Sequence, residues 1–323
     1  MALFIRTVTG DISTEALGFT HCHEHLFTGR MEGVDLEERL LIDSYRNSRK
    51  EARAFRRLGG RAIVDAQPFG AGRNARVLQK LSEDTELHII AATGFHTAHF
   101  YPRDSWENTA GTDEIADLLI SEIHDGMYEY DPADPFKVQS GIRAGIIKIA
   151  TGERGLTSLY EKIFRAAVKA HRITGAPIMT HTELAQFGHE QAVLLTEAGV
   201  SPEHIIISHM DRVIDVGSNA RLAEMGVFLE YDTIARLKYH SDEDELSLIG
   251  EMVARGFGDR IVLGMDTTRE RMKAYGGEIG LDYIMTSFLP MLAGTGLESR
   301  YAEGFMIGNP RRALSFAHSG IGE

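Results

Sequence analysis

The run Gly18-Phe-Thr-His-Cys-His-Glu-His25-Leu-Phe27 sets His23 and His25 two residues apart. In an extended strand, residues i and i+2 share a face, so the two imidazoles project to one side. A divalent metal can use such a pair only when further donors come from elsewhere in the chain. Four candidates stand at comparable places: Lys148 in GIIKIATG, His181 in PIMTHTE, His209 in IIISHMD and Asp266 in IVLGMDT. Each closes a strongly apolar run. Taken singly, each has an ordinary reading: a strand-end histidine on a backbone carbonyl, a salt-bridged lysine, or an N-cap for the helix after Asp266. Taken together, five donor sites at strand C-termini point to one metal centre.

These runs recur with helix-like stretches between them. The candidate strands are Gly18–Leu26, Arg61–Ala66, His88–Thr93, Ile142–Ile149, Ala176–His181, His204–His209, Val227–Tyr231 and Arg260–Met265. Several are almost continuously apolar, as parallel strands buried on both faces are. Ser158–Thr174 carries Leu159, Ile163, Phe164, Ala167 and Ala170 on one stripe, and Gln186–Ala198 and Ser241–Arg255 behave similarly. Gly199, Gly226 and Gly256 fall where helix C-caps are expected. Eight such alternations predict an α/β fold, a (β/α)8 TIM barrel formed as one domain over residues 1–323. An open doubly wound sheet would want a Gly-rich phosphate turn after its first strand, and THCHEH is nothing like one. Residues 5–15 read as a short N-terminal hairpin capping the barrel floor. Residues 94–141 read as a long insertion after the third strand, with a helix at Asp113–Gly126, on the face where barrel active sites are built.

Composition sets outer limits. The chain has 323 residues, 43% hydrophobic and 25% charged, with a formal net charge of −13. That is a globular composition, and it excludes disorder and collagen-like repeats. The acidic balance disfavours nucleic acid or an anionic membrane as a partner. A small-molecule substrate is the expected partner. Cys22 is the one cysteine, which rules out an intramolecular disulfide and fits a reducing compartment. No apolar window is long enough to span a bilayer, and the start MALFIR lacks a signal-peptide pattern. A cytoplasmic protein is expected.

The full set of motifs, GFTxxHEH, GIIKIAT, THTE, ISHMD and GMD, resembles the phosphotriesterase family of the amidohydrolase superfamily, including its lactonases. The likeness runs over nearly the whole chain. It implies a hydrolase with a binuclear metal centre. His23, His25 and Asp266 then hold the more buried metal, His181 and His209 the more exposed one. Lys148, carboxylated by CO2 to a carbamate, bridges the two. The nucleophile is a hydroxide shared by the metals, and Asp266 orients it and carries its proton to the leaving group. Zinc is the expected metal, with manganese and cobalt as alternatives that suit the same ligands. By the same pattern His21, of equal strand parity but deeper, is expected inside the barrel, out of direct ligation. Glu24 and Cys22 have the opposite parity and should face the helices, one in an ion pair and one as small core filler. His88, His124, His171, His204, His240 and His318 belong to no constellation.

Substrate choice rests on the loops after the third, sixth, seventh and eighth candidate strands. They carry Arg212, Arg236, Lys238, Arg269 and Arg271. These cations either form an anion site or are solvated or paired with Glu230, Asp232, Glu243 or Glu270. A neutral acyl-homoserine lactone or a phosphotriester would want an apolar channel instead, so the loops lean toward an anionic lactone. IARLKY and DTTR resemble the phosphate-binding loops of the family's phosphorylated sugar lactone branch, which implicates Arg236, Lys238 and Arg269. The tyrosine of that pattern is replaced by Met272, with Tyr275 nearby. Phe95, His96, His99 and Tyr101 should wall the site; Tyr101 or His96 either bonds a lactone oxygen or simply packs. The alternatives are a phosphotriesterase, a quorum-lactone hydrolase, and a metal-binding sensor or scaffold without turnover. The apolar stretch Leu281–Leu292 should pack on the barrel or make a dimer contact, and the resemblance implies a homodimer.

Overall fold

The computed structural model describes residues 3–31, 33–131 and 134–317; His318 lies outside them. A hairpin of β1 (Phe4–Thr7) and β2 (Gly10–Ser13) comes first. Eight parallel strands follow: β3 (Thr20–Glu24), β4 (Ala62–Asp65), β5 (His88–Gly94), β6 (Ile146–Ala150), β7 (Ile178–His181), β8 (Ile205–Ile207), β9 (Phe228–Tyr231) and β10 (Ile261–Leu263). They pair in sequence order from β3 to β10. The sheet closes because the Asp266 and Met265 N–H groups donate to the His23 carbonyl at 3.0 and 3.3 Å. The fold is therefore the expected eight-stranded α/β barrel.

The principal helices between strands are α1 (Tyr45–Arg57), α2 (Ala75–Thr85), the one-turn α3 (Trp106–Thr109), α4 (Thr112–His124), α5 (Ser158–Thr174), α6 (Gly188–Glu197), α7 (Val216–Glu224) and α8 (Asp242–Ala254). The stripe read in the sequence matches α5 end to end. Ser241 caps α8 by accepting from the Asp244 N–H, while Asp244 reaches back to the Ser241 N–H. Gly199, Gly226 and Gly256 all have φ between +84° and +89°, as helix-ending glycines should.

Two cores result. Inside the barrel lie Ala62, Val64, Ile90, Ala92, Ile146, Met179, Ile206, Phe228 and Val262, closed at the floor by Ile5 of the hairpin and by Ala313 and Leu314. The hairpin is thus a floor cap, with the Val8 N–H on the Ile89 carbonyl. Between barrel and helices lie the alternate strand residues, such as Ile63, Ile89 and Ile147, with the helix faces. Leu281, Ile284, Phe288 and Leu292 are buried, so Leu281–Leu292 packs on the barrel. The segment 94–141 divides: residues near His96 and Phe100 reach the C-terminal rim, while α4 packs beside α5 as an ordinary barrel helix. Among the described residues, no helix is long and apolar enough to cross a membrane.

The parity expected for β3 fails, for a local reason. Thr20 and His21 pair with Ala62 and Ile63, but Glu24 pairs with Asp65, so β3 carries a bulge between His21 and Glu24. A bulge inserts one residue and reverses the alternation beyond it. Cys22 consequently faces the barrel interior, not the helices. His21 faces outward, its ring edge-on to Phe55 of α1 at 4.5 Å, and its Nδ1 lies 2.6 Å from Glu24 Oε1. Glu24 also accepts from the Thr267 N–H, so it is the structural partner the sequence suggested.

Candidate active site

Strand ends deliver the donors to one rim. The β3–β10 seam brings His25 Nε2 to 3.2 Å from Asp266 Oδ1. His23 Nδ1 lies 2.8 Å from Glu230 Oε2 and 3.2 Å from Asp232 Oδ2. Asp232 Oδ1 holds His209 Nδ1 at 2.7 Å, and His209 Nε2 faces His181 Nδ1 at 2.8 Å. His181 Nε2 in turn lies 2.9 Å from Glu183 Oε1. His209 and Asp266 adopt left-handed φ of +65° and +43°. Such conformations cost about 1–3 kcal/mol each and persist where surrounding structure imposes them.

These contacts define a donor set that fits a metal. Carboxylates on Nδ1 of His209 and on Nε2 of His181 fix the tautomers that leave His209 Nε2 and His181 Nδ1 unprotonated. Two lone pairs then face each other at 2.8 Å, an arrangement that calls for a proton or a cation. Burial, followed by the Arg212 charge, holds both imidazoles well below their ordinary pKa, which disfavours the proton. His25 Nδ1 is buried without a hydrogen-bond partner. His23, His25 and Asp266 present ligand atoms within 4.8 Å of one another, as do His23, His209 and Asp232.

Lys148 lies beneath these groups, 1% exposed, and among the described residues its side chain makes one hydrogen bond, a 3.5 Å contact from Nζ to Ser208 Oγ. Among the described residues no carboxylate is within ion-pair distance of it. Burial lowers its pKa to about 8, against the opposing pull of Glu230, Asp232 and Asp266. An amine poised to lose its proton is the form that can take up CO2. For His23, burial and Lys148 push down, but Glu230 and Asp232 outweigh them and raise it to about 9. Burial would raise Asp266, yet Arg236 and the nearby histidines hold it well below the carboxylate range.

A cavity of about 180 Å³ opens above the donors, with His23, His25, His181, His209 and Asp266 on its wall. Of the residues expected to meet substrate, Arg212, Arg236, Lys238 and His96 line it. Arg212 Nη2 is 3.2 Å from Asp266 Oδ2, and Arg236 bonds the same oxygen. Five of the expected residues do not line the cavity: Phe95, which is buried in the core, His99, Tyr101, Tyr275 and Arg269. Tyr101 is buried, its hydroxyl donating to the Phe69 carbonyl and accepting from the His96 N–H, so it packs and braces the loop. Tyr275 spends its hydroxyl on Ser44 and Ser48 and stacks beneath Arg269. Arg269 itself bonds the Leu41 carbonyl and Asp43.

Sequence reasoning missed six residues. Glu230 and Asp232 grip His23 and His209 instead of neutralising loop cations. Their signal was two acids at i, i+2 in an otherwise apolar strand. Glu183, two residues after His181, was legible in the same way. Tyr239 gathers cations: Lys238 Nζ lies 4.7 Å, Arg212 Cζ 5.4 Å and Arg236 Cζ 5.9 Å from its ring centre. Arg39 lines the cavity from the segment after β3, and nothing local announced it. His240, read as belonging to no constellation, lies with buried Asp211 and Glu245, ligand atoms within 4.8 Å.

An eight-stranded barrel with imidazoles and carboxylates gathered at its strand C-termini defines a barrel hydrolase. The sequence model of the Phosphotriesterase family matches residues 4–314. The chain belongs to the Phosphotriesterase family and is a hydrolase. A phospho-furanose lactonase of Mycoplasmopsis synoviae (strain 53) is 33% identical over 326 residues, covering 97% of this chain and 92% of that protein. A phosphotriesterase homology protein of Escherichia coli (strain K12) is 30% identical, covering 93% and 98%. Among solved structures, an amidohydrolase from Mycoplasma synoviae superimposes with a TM-score of 0.94 at 32% identity, covering 98% and 93% of the two chains. A lactonase from Listeria monocytogenes gives 0.89 at 30% identity, covering 98% and 100%.

Proposed function

We propose that this chain is a metal-dependent lactonase acting on a phosphorylated five-carbon sugar lactone. The observation that carries the reading is a single cavity joining the donor cluster to Arg212, Arg236 and Lys238 around Tyr239. The phospho-furanose lactonase relatives support the same substrate class.

His23, His25 and Asp266 would hold one metal, His181 and His209 the other, with Lys148 bridging as a carbamate. Forming it joins the Lys148 nitrogen to CO2 carbon, and the amine proton leaves to solvent. When bound, two divalent metals, zinc foremost, supply activation of water and polarisation of the lactone carbonyl. Glu230 and Asp232 fix the imidazole orientations. Asp266, bonded by Arg212 and Arg236 at Oδ2, takes the water's proton and returns it to the ring oxygen as the C–O bond breaks. Lys238 and Arg236 bind the phosphate; Arg269, away from the cavity, holds the loop over it.

The test loads the protein with zinc or manganese in bicarbonate and follows proton release with a pH indicator. The substrates are a five-carbon sugar lactone and its 5-phosphate. Strong preference for the phosphate is expected. Equal turnover of both, or of neither, would overturn the phosphosugar reading and redirect the search to apolar lactones and triesters.

A further inference from the structure

The segment 36–43 after β3 is built as a fixed arm over the cavity. Its base is pinned by the Thr28–Ile42 backbone pair, with N–H to O distances of 3.0 and 3.1 Å in the two directions. Leu41 and Ile42 are each 1% exposed, so the arm is anchored in the core. Arg269 Nη1 holds it from the other side, at 3.1 Å from the Leu41 carbonyl and 3.0 Å from Asp43 Oδ1. Arg39, Leu40 and Ile42 then line the same cavity as Arg236, Lys238 and Tyr239.

Arg39 is held in a particular pose. Its Nε and Nη2 fork onto the Glu37 carboxylate at 2.5 and 3.0 Å, which leaves Nη1 out of the pair. Its side chain is 39% exposed, so the guanidinium sits toward the solvent side of the cavity. The neighbouring charges show which loops meet there. Arg39 first, and then His99 and Lys238, holds the Glu37 carboxyl below its usual value, while Glu270 and Tyr239 act on Arg39. The arm, the loop after β5 and the loop after β9 converge on one mouth, since Arg39, His96, Phe100, Lys238 and Tyr239 all line the one cavity.

We propose that Arg39 is a specificity-determining residue that binds the substrate's anionic group at this mouth through Nη1, together with Lys238. This rests on the anionic-lactone reading above and adds to it a cation from an arm that the sequence motifs did not implicate. A guanidinium already forked on Glu37 is preorganised, so little side-chain freedom is lost when an oxyanion arrives. A neutral lactone offers Nη1 only uncharged oxygens, which accept weaker hydrogen bonds than an oxyanion does. Arg39 thus acts on the difference between the two substrates, and Arg269 is a positioning residue that acts through the arm.

The test compares wild type, Arg39→Ala and Arg39→Lys, all metal-loaded, on the lactone and its 5-phosphate. The expected result is a fall of about tenfold or more in the phosphate-to-neutral ratio of kcat/KM for Arg39→Ala. The loss should lie in KM, with partial recovery in Arg39→Lys. A ratio unchanged from wild type, or a loss carried by kcat on both substrates alike, would overturn the proposal. Calorimetric binding of ribose 5-phosphate separates this from failure of the reaction assignment. Wild type that binds it while Arg39→Ala binds equally well refutes the role of Arg39 alone. Wild type that does not bind it refutes the anionic substrate as well.

Discussion

On the metal centre proposed above, the protons of Lys148 and His23 would stand between the metal-free protein and its loaded form. A metal ligand must be deprotonated, so loading competes with these protons. Lys148 has its pKa lowered to about 8 and His23 has its pKa raised to about 9. Below these values both are protonated, so loading is disfavoured; above them both donors are free. Zinc uptake at fixed bicarbonate should therefore quicken from pH 6.5 to about 9 and then level off, which stopped-flow with a zinc indicator would follow. Glu230→Gln removes a charge that keeps the His23 proton on, and should move that part of the profile to lower pH. A profile flat across this range would contradict the burial and pairing described for both groups. Lys148→Ala should lose the bridge, and with it metal loading and turnover; a short-chain carboxylic acid should restore part of both. Full metal content and activity in Lys148→Ala without added acid would remove the bridging role. At this scale the residues that the sequence grouped do meet: His23, His25, His181, His209 and Asp266 line one cavity, and Lys148 reaches the cluster from within the apolar β6. Tyr101 and Tyr275 misled, because a phenol near a site in sequence says nothing of where its hydroxyl is spent.

At the scale of elements, the donors are placed by strand pairing, and two backbone details matter more than any propensity. One is the bulge in β3, which turns Cys22 inward and His21 outward; a strict period of two cannot see it, since the extra residue is specified by pairing with β4. The other is the approach of Gly94 to Lys148. Gly94 pairs with Lys148 across β5 and β6, with φ of +105°, and a Cβ there would lie 1.8 Å from the Lys148 carbonyl oxygen. Neither the oxygen nor the backbone behind it can move without pulling the strand that carries Lys148. Gly94→Ala should therefore cost about 3 kcal/mol or more, from the unfavourable φ and the overlap together, and weaken metal retention. Gly304→Ala is the contrast, since Gly304 has helical φ and ψ of −54° and its Cβ would meet nothing within 4 Å. That change should be neutral or stabilising by up to about 1 kcal/mol. Urea denaturation of the two variants checks both signs, and equal midpoints would mean that the close approach in β5 relaxes at no cost.

For the whole molecule, the barrel was legible because alternation of strand and helix is written in local periodicity, and the ends of α6, α7 and α8 in the glycines that follow them. The arm carrying Arg39 was not, because its position depends on contacts with Arg269 and the Thr28–Ile42 pair, which are far apart in sequence. The same distinction governs electrostatics. A net charge of −13 repels an anion from a distance, while Arg39, Arg236 and Lys238 attract it at the cavity. Salt decides which dominates. The screening length is already about 10 Å at 0.1 M, so remote carboxylates are largely silenced there, whereas contacts of a few ångströms weaken only at higher salt. Raising sodium chloride from about 0.1 to 0.5 M should therefore increase KM for the phosphorylated lactone by roughly threefold or more and leave KM for the neutral lactone nearly constant. A fall in KM for the phosphate over that range would show that the acidic surface, not the cationic mouth, sets the approach of substrate. The cations around Tyr239 would then serve Asp266 alone: Arg212 and Arg236, which pair with that carboxylate, would hold it ionised for the proton transfer proposed for it.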